Sequence, residues 1–548
     1  MNRNIFNSLK TSTLFILPVI FVIIALLIHF GRGSFFMTHV DPEYFHLFNG
    51  LNLAIFNLAV DFIHHPGTTI QIIYAVSAHF VNFIQPGNDL ITNALNNPEQ
   101  FIHGANILLN LLTGLALLML GIYTYRYSGN IFYALLLQLM PFASYKILVI
   151  SGRLIPETAL IAPILLLALL MVRFLYDENR EKNIQSYIIG FAIVGGLGIA
   201  GKLLYLPFLI IPLFFIPGLK LRLKYLAYTC VAIVVFAFPV FVHLGKSWEW
   251  FGGMFLHSGQ WGSGEQNVFD FNAAPARIKA LYQIDKSFFV IIGLAAIQLI
   301  IFYLLSFFRN IKAMGLSMRM LLAIVLSVVL SILMVTKHFA LHYYIPTLLF
   351  KGFLIFLMAK LLVDVFHSKL SARIISVTSL IIMLLIVSGQ KKSLARANHK
   401  NQEWAELFQE RAFILQQYNT IDNPLIITSH YRGSAFIESA MVAGVLMSGS
   451  LKTTFLEDLR AMYPNTYFYY NWTGSFYFWD LFKDASDFVD PQKPIYIFIG
   501  EGKEENLKAI LSRLEVAFQD YQPQLNLLHH FTDPDEYFYE VMLVEKAI

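Results

Sequence analysis

The chain is short of charge and nearly devoid of cysteine, and each shortage excludes something. Its single cysteine, Cys230, lies inside an apolar run, so neither an internal disulfide nor a thiolate metal cage can form within one chain. Charged residues make up 14% of the 548 residues, against 57% hydrophobic. A soluble protein of that length needs far more charge to cover its surface, and the deficit falls before residue 390. The net charge of +4 is modest and spread out, so no nucleic-acid partner is expected. No internal repeat is visible. No ligand spacing such as His-Glu-x-x-His occurs, so no metal or other cofactor is expected, although carboxylates and histidines on one face leave room for a divalent ion.

What the chain does have is apolar length. Mean hydropathy is +0.60, and runs of about twenty apolar residues recur, the length needed to cross the hydrocarbon core as a helix. The pattern predicts an α-helical polytopic membrane protein with about eleven spans. They run 13–30, 101–122, 131–150, 157–175, 185–201, 203–218, 225–244, 287–308, 318–336, 345–364 and 373–389. The first run has no small-residue cleavage site and is kept as a span rather than a signal peptide. With the amino terminus in the cytoplasm, the cytoplasmic connections carry Arg126, Arg173, Lys182, Lys220, Arg222, Arg309 and Arg373, as the positive-inside rule requires.

That orientation places loops 31–100 and 245–286 outside. Within the first, 44–63 and 67–84 have helical apolar spacing with polar interruptions at Asn49, Asn52, Asn57 and Asp61, which predicts helices lying along the interface. Reading 67–84 as a further span would invert everything after it and put the basic loops outside. Residues 1–389 thus form the membrane module. From 390 to 548 the chain is charged, aromatic and turn-rich. Strand patterns at 424–428, 494–499, 525–531 and 537–544, with helices at 402–418 and 504–518, predict a soluble α/β domain on the external side. The expected location is the inner (plasma) membrane.

Isolated charges near membrane depth cost roughly 2.5–3.5 kcal/mol each on insertion scales, yet here they gather in the external connections. Asp41-Pro42-Glu43 supplies two carboxylates on a short turn, suited to a general base; Asp41 before proline is equally a good helix start. His64-His65-Pro66-Gly67 joins the two interface helices, either to orient an anion or as a plain turn. In Ser151-Gly152-Arg153-Leu154-Ile155-Pro156-Glu157, Pro156 and Glu157 suit a helix start, whereas Arg153 suits bidentate phosphate binding. Lys202 splits two apolar runs and is either snorkelling or paired with an anion. Lys337-His338-Phe339-Ala340-Leu341-His342-Tyr343-Tyr344-Ile345-Pro346 joins a cation, two imidazoles and two phenols; an aromatic belt accounts for the tyrosines alone. His257 and Trp261 sit in a glycine-rich stretch that reads as a sugar-closing flap or as a flexible connection.

This arrangement resembles the GT-C superfamily, and within it the branch holding protein O-mannosyltransferases and the lipid A aminoarabinose transferase. Asp41 and Glu43 stand where that branch has an acidic motif, and His65-Pro66 where its His-Pro-Pro element begins. Arg153 to Glu157 matches a Pro-Glu element, and Lys337 to Pro346 a basic-Tyr-x-x-Pro stretch. The acidic pair is split by Pro42, Gly67 replaces a proline, and about eleven spans is fewer than the aminoarabinose transferase has. The resemblance covers about 1–365 and implies a glycosyltransferase that takes a sugar from a polyprenyl-phosphate-linked donor in the bilayer, by inverting displacement. It implies Asp41 or Glu43 as base. Arg153, Lys202, Lys337, His338, His342 and Tyr344 then face the donor phosphate, with His64, His65, Glu157, His257 and Trp261 on the substrate. The acceptor (protein, lipid or glycan) is not disclosed. An O-antigen-type polymerase or ligase, and a transporter or flippase, are the competing readings.

Overall fold

The computed structural model describes residues 12–38, 40–64, 66–85, 89–256, 272–308, 315–337, 339–366, 368–418, 423–428 and 433–546. It divides into two compact units. One comprises Met1–Phe30, Ile63–Ile73 and Ala105–His399; the other Gly31–Phe62, Tyr74–Gly104 and Lys400–Ile548.

The first unit is a multi-pass helical membrane architecture. Among the described residues, six helices are long and apolar enough to cross a bilayer: Pro98–Ser128, Pro156–Tyr176, Ile184–Gly201, Lys286–Leu305, Leu316–Thr336 and Lys369–Gln416. Along Lys286–Phe308, Phe288, Ile291, Ala295 and Leu299 are buried while Val290, Leu294, Ile297 and Ile301 are each about half exposed. An apolar stripe repeating every three to four residues on the outward face fits lipid and not water.

Other expected spans are shorter or broken, each for a local reason. Residues 131–150 form Ile131–Gln138, a 3₁₀ turn at Met140–Ala143 carrying Pro141, and Tyr145–Ser151. The run 225–244 breaks after Leu219–Phe236, ahead of Pro239. The run 203–218 is not an α-helix. It is a 3₁₀ helix, Leu203–Phe214, with Pro207 and Pro212 inside, because each proline removes an amide donor and clashes with the preceding turn. Tyr225 donates its phenol to the Leu209 carbonyl at 2.9 Å, satisfying one acceptor that the irregular helix leaves over.

The second unit is built on a seven-stranded mixed sheet of β1 (Leu425–Ile427), β2 (Thr466–Tyr470), β3 (Ser475–Phe478), β4 (Leu481–Lys483), β5 (Ile495–Ile499), β6 (Tyr521–Thr532) and β7 (Asp535–Glu545). The spatial order is β4-β3-β2-β1-β5-β7-β6. β1 runs parallel to both neighbours, with Ile426 opposite Tyr467 and Ile497. All three of its residues are buried, as a strand covered on both faces requires. Ile497, Ile499 and Val541 pack on Ile510 and Leu514 of helix Glu504–Ala517. Arg411, on helix Lys391–Gln416, is buried against the β6–β7 turn: Nη1 lies 2.6 Å from Glu536, and Nη2 donates to the Asp533 and Pro534 carbonyls.

The first external loop belongs to this unit. Its helix Val40–Ala54 packs on Ile437–Val445, so closely that a Cβ on Gly444 would stand 2.8 Å from the Tyr44 carbonyl oxygen. Of the asparagines expected to be polar interruptions at an interface, Asn49 and Asn52 are buried connectors and Asn57 is a half-buried one. Asn49 donates to the Met447 carbonyl at 2.7 Å and Asn52 to that of Ser448 at 2.5 Å, while Asn57 reaches Ser450. Gly449 completes the joint with φ +79°, a Cβ there colliding with the Ala59 carbonyl oxygen.

Candidate active site

In the first unit, four stretches far apart in the chain meet. Pro66 forms an isolated antiparallel bridge with Lys202, so the His-Pro element lies against the break between Ile184–Gly201 and the 3₁₀ helix. Lys202 adopts an extended conformation at that break. Its ammonium forms an ion pair with Glu157, whose side chain is 1% exposed. The same ammonium sits 4.1 Å from the centroid of the Tyr343 ring, and His342 Nε2 lies 3.8 Å from the Glu157 carboxylate.

The Glu157 turn is held from several sides. Ser151 ends helix Tyr145–Ser151, and its carbonyl accepts from Asn106 at 3.3 Å and Asn110 at 3.0 Å. His29 Nδ1 lies 3.1 Å from the Gly152 carbonyl oxygen, and Thr158 donates to the Ile150 carbonyl at 3.0 Å. Arg153, between these anchors, is half-buried. His342 is about half exposed. Packing around its imidazole holds the pKa below the ordinary value; Glu157 opposes this, while Lys202 and Arg153 add to it. His342 is therefore neutral at pH 7, able to accept on one ring nitrogen and donate on the other.

The other expected residues divide as follows. His64 is half-buried, its ring 5.9 Å from that of Trp250. Tyr344 is buried between Phe288 and Phe289. Lys337 ends helix Leu316–Lys337, its side chain outside the described residues, as are His65, His338, His257 and Trp261. Among the described residues no group of three or more His, Cys, Asp or Glu is arranged to hold a metal ion.

The acidic motif belongs to the second unit. Asp41 is exposed, with φ −97° and ψ 122°, at the opening of Val40–Ala54. Glu43, two residues on, is fully buried. Of these two, Asp41 presents the carboxylate that solvent or an acceptor can reach. The same unit holds a carboxylate that sequence reading missed: Glu99 accepts from the backbone amides of Phe35 (2.8 Å) and Phe36 (3.0 Å) and from the Tyr44 phenol (2.8 Å). Burial pushes the Tyr44 phenol well above its ordinary pKa, with Glu99 adding to the effect, so it stays a donor. Tyr74 donates to the Glu43 carbonyl at 3.1 Å and is raised in the same way. The signal for Glu99 was the dipeptide Pro98-Glu99, of the same form as Pro156-Glu157.

A second omission is Lys351 in helix Phe350–Phe366. It is fully buried, 2.6 Å from Asp285, with further donations to Ser287 (2.9 Å) and the Ala143 carbonyl (2.7 Å). A lysine inside an apolar run is itself the signal; here its hydrogen bonds are satisfied within the unit, as a structural staple requires.

No family model matches the chain, and no curated protein is detectably similar to it in sequence. The likeness is to solved structures. ArnT from Cupriavidus metallidurans in the apo state superposes with a TM-score of 0.51 at 12% identity, covering 95% of this chain and 97% of that one. The same protein bound to undecaprenyl phosphate gives 0.50 at the same identity and coverage. The chain thus shares the fold of these ArnT structures, in keeping with the resemblance drawn from the sequence motifs.

Proposed function

We propose that the chain is a membrane glycosyltransferase that takes a sugar from a polyprenyl-phosphate-linked donor and delivers it to an acceptor on the extracytoplasmic side. The observation that carries this reading is the meeting of Pro66, Glu157, Lys202 and His342, contributed by four distant connections. The likeness to a fold that binds undecaprenyl phosphate in ArnT supports a donor of that class.

Inverting displacement needs a base for the acceptor hydroxyl, access to the far side of the anomeric carbon, and positive charge on the departing phosphate. Asp41 is the base in this reading, because it is exposed where Glu43 is enclosed. The phosphate role goes to Arg153, whose planar guanidinium suits bidentate binding, with Lys337 in support. Neutral His342 donates a hydrogen bond without adding charge. Lys202 then acts as a positioning residue, fixing Glu157 and the His-Pro element against each other.

The test is transfer of radiolabelled sugar from a polyprenyl-phosphate donor by purified full-length protein. Asp41→Asn should lower kcat/KM by about 10²- to 10⁴-fold, the range for loss of a general base, while the protein remains folded in the membrane. Near-normal transfer by both Asp41→Asn and Glu43→Gln removes the catalytic assignment; no transfer by wild type with any such donor removes the function.

A further inference from the structure

Asp41 is the exposed carboxylate on which the proposed transfer depends, yet regular structure does little to fix it. Its φ of −97° and ψ of 122° interrupt the opening of helix Val40–Ala54, shortly after the four-residue helix Phe35–Thr38. A backbone that leaves the helical region there gives up the repeating amide–carbonyl bonds that would hold it. The place of the carboxylate is therefore set by whatever grips the chain on either side.

One side chain grips both sides. Glu99 Oε2 accepts from the Phe35 amide at 2.8 Å, while Oε1 accepts from the Phe36 amide at 3.0 Å and from the Tyr44 phenol at 2.8 Å. Phe35 and Phe36 precede Asp41 and Tyr44 follows it, so the two oxygens of a single carboxylate span the base. Opposing contacts complete the grip. The Phe36 carbonyl accepts from the Ser434 amide at 3.1 Å, and a Cβ on Gly433 would collide with the Met37 carbonyl. Tyr74 donates to the Glu43 carbonyl at 3.1 Å. His103, one turn beyond Glu99 on helix Pro98–Ser128, brings its ring centroid to 6.3 Å from that of Phe35. All of these residues belong to the second unit.

We propose that Glu99 is a positioning residue for Asp41, setting where the base stands relative to the acceptor hydroxyl. The inference rests on the assignment of Asp41 as base and extends it, since Glu99 acts through the backbone and not on the reacting atoms. A base works only within about 2.6–3.2 Å of the group whose proton it takes, and a displacement of about 1 Å costs on the order of 10²-fold in rate. Three donors converge on Glu99 from both sides, and a carboxylate meets them with two accepting oxygens. Glutamine offers one oxygen, and its NH₂ would face a donor.

Full-length protein in phosphatidylcholine nanodiscs is offered a series of undecaprenyl-phosphate hexoses and pentoses, with a total membrane extract as acceptor. Formation of free undecaprenyl phosphate, per folded protein, counts transfer whatever the acceptor. Glu99→Ala should lower kcat about 10²-fold while donor KM stays within about twofold. Glu99→Gln, keeping one accepting oxygen, should lower kcat about tenfold. In an Asp41→Asn background, whose residual rate is the reference, Glu99→Ala should cost less than about threefold, because it acts only through Asp41. A glutamate that merely supports the fold would cost the same factor in both backgrounds, and that result overturns the proposal. So does a normal kcat for Glu99→Ala beside a crippled Asp41→Asn, which leaves the base standing. Where Glu99→Ala does not fold, Tyr44→Phe repeats the cycle with an expected loss of about fivefold. Full activity of Asp41→Asn, or no turnover by wild type, removes the underlying reading and this inference with it.

Discussion

Pro98-Glu99 and Pro156-Glu157 are the same two letters at the start of two long apolar helices, one completing its fold in each unit, and the protein resolves them differently. Glu157 is buried against a lysine, so its charge is cancelled by an opposite charge. Glu99 is buried against two backbone amides and a phenol, so its charge is spread over neutral donors. The first arrangement needs both partners present. The second tolerates losing one. The partner, contributed from far along the chain, decides what a buried carboxylate is for.

That contrast is open to direct attack. Lys202→Ala should be the most damaging change, about 3–5 kcal/mol, because it strands a buried carboxylate; thermal unfolding in detergent measures it. The double variant Lys202→Met/Glu157→Gln should recover most of the loss, and equal damage by single and double variants would break the comparison. Glu99→Gln should cost less, about 1–3 kcal/mol, since the amide oxygen still accepts but the charge is gone. Tyr44→Phe removes one donor of three and should cost about 1 kcal/mol, leaving the Phe35 and Phe36 contacts intact.

Glu438 sharpens the comparison with a third case and the smallest effect. It is 3% exposed, and burial pushes its carboxyl up to about 7. The folded state therefore holds the proton more tightly than the unfolded chain does. Stability from this group is present below the ordinary glutamate pKa and is lost as pH rises toward about 7. Glu438→Gln should raise Tm by a few degrees at pH 8 and have little effect at pH 4; a rise of the same size at both pH values would contradict the assignment.

Much of this could be read from the sequence because the signals were long or local. Apolar runs of bilayer length predicted helices that the structure contains, and strand patterns at 424–428, 494–499, 525–531 and 537–544 correspond to β1, β5, β6 and β7. β2, β3 and β4 escaped notice because Thr466–Tyr470 and Ser475–Phe478 are aromatic-rich and short, without the alternation that marks a half-exposed strand. Leu203–Phe214 misled because hydropathy counts Pro207 and Pro212 as permissible when the backbone does not. At the site, the residue types at Glu157, Lys202 and His342 were visible one by one. Their pairing was not, since 45 residues separate Lys202 from Glu157 and no local pattern encodes a contact at that distance.

The asparagine ladder from Asn49, Asn52 and Asn57 to the 447–450 segment has a consequence for engineering. The carboxy-terminal region is no detachable accessory. A truncation near 390, or an exchange of that region between related proteins, would also withdraw the scaffolding on which Asp41 is mounted. Activity lost in such a chimera would reflect a collapsed amino-terminal loop as readily as a missing recognition module, and a transplant would have to carry 31–62 along with its tail.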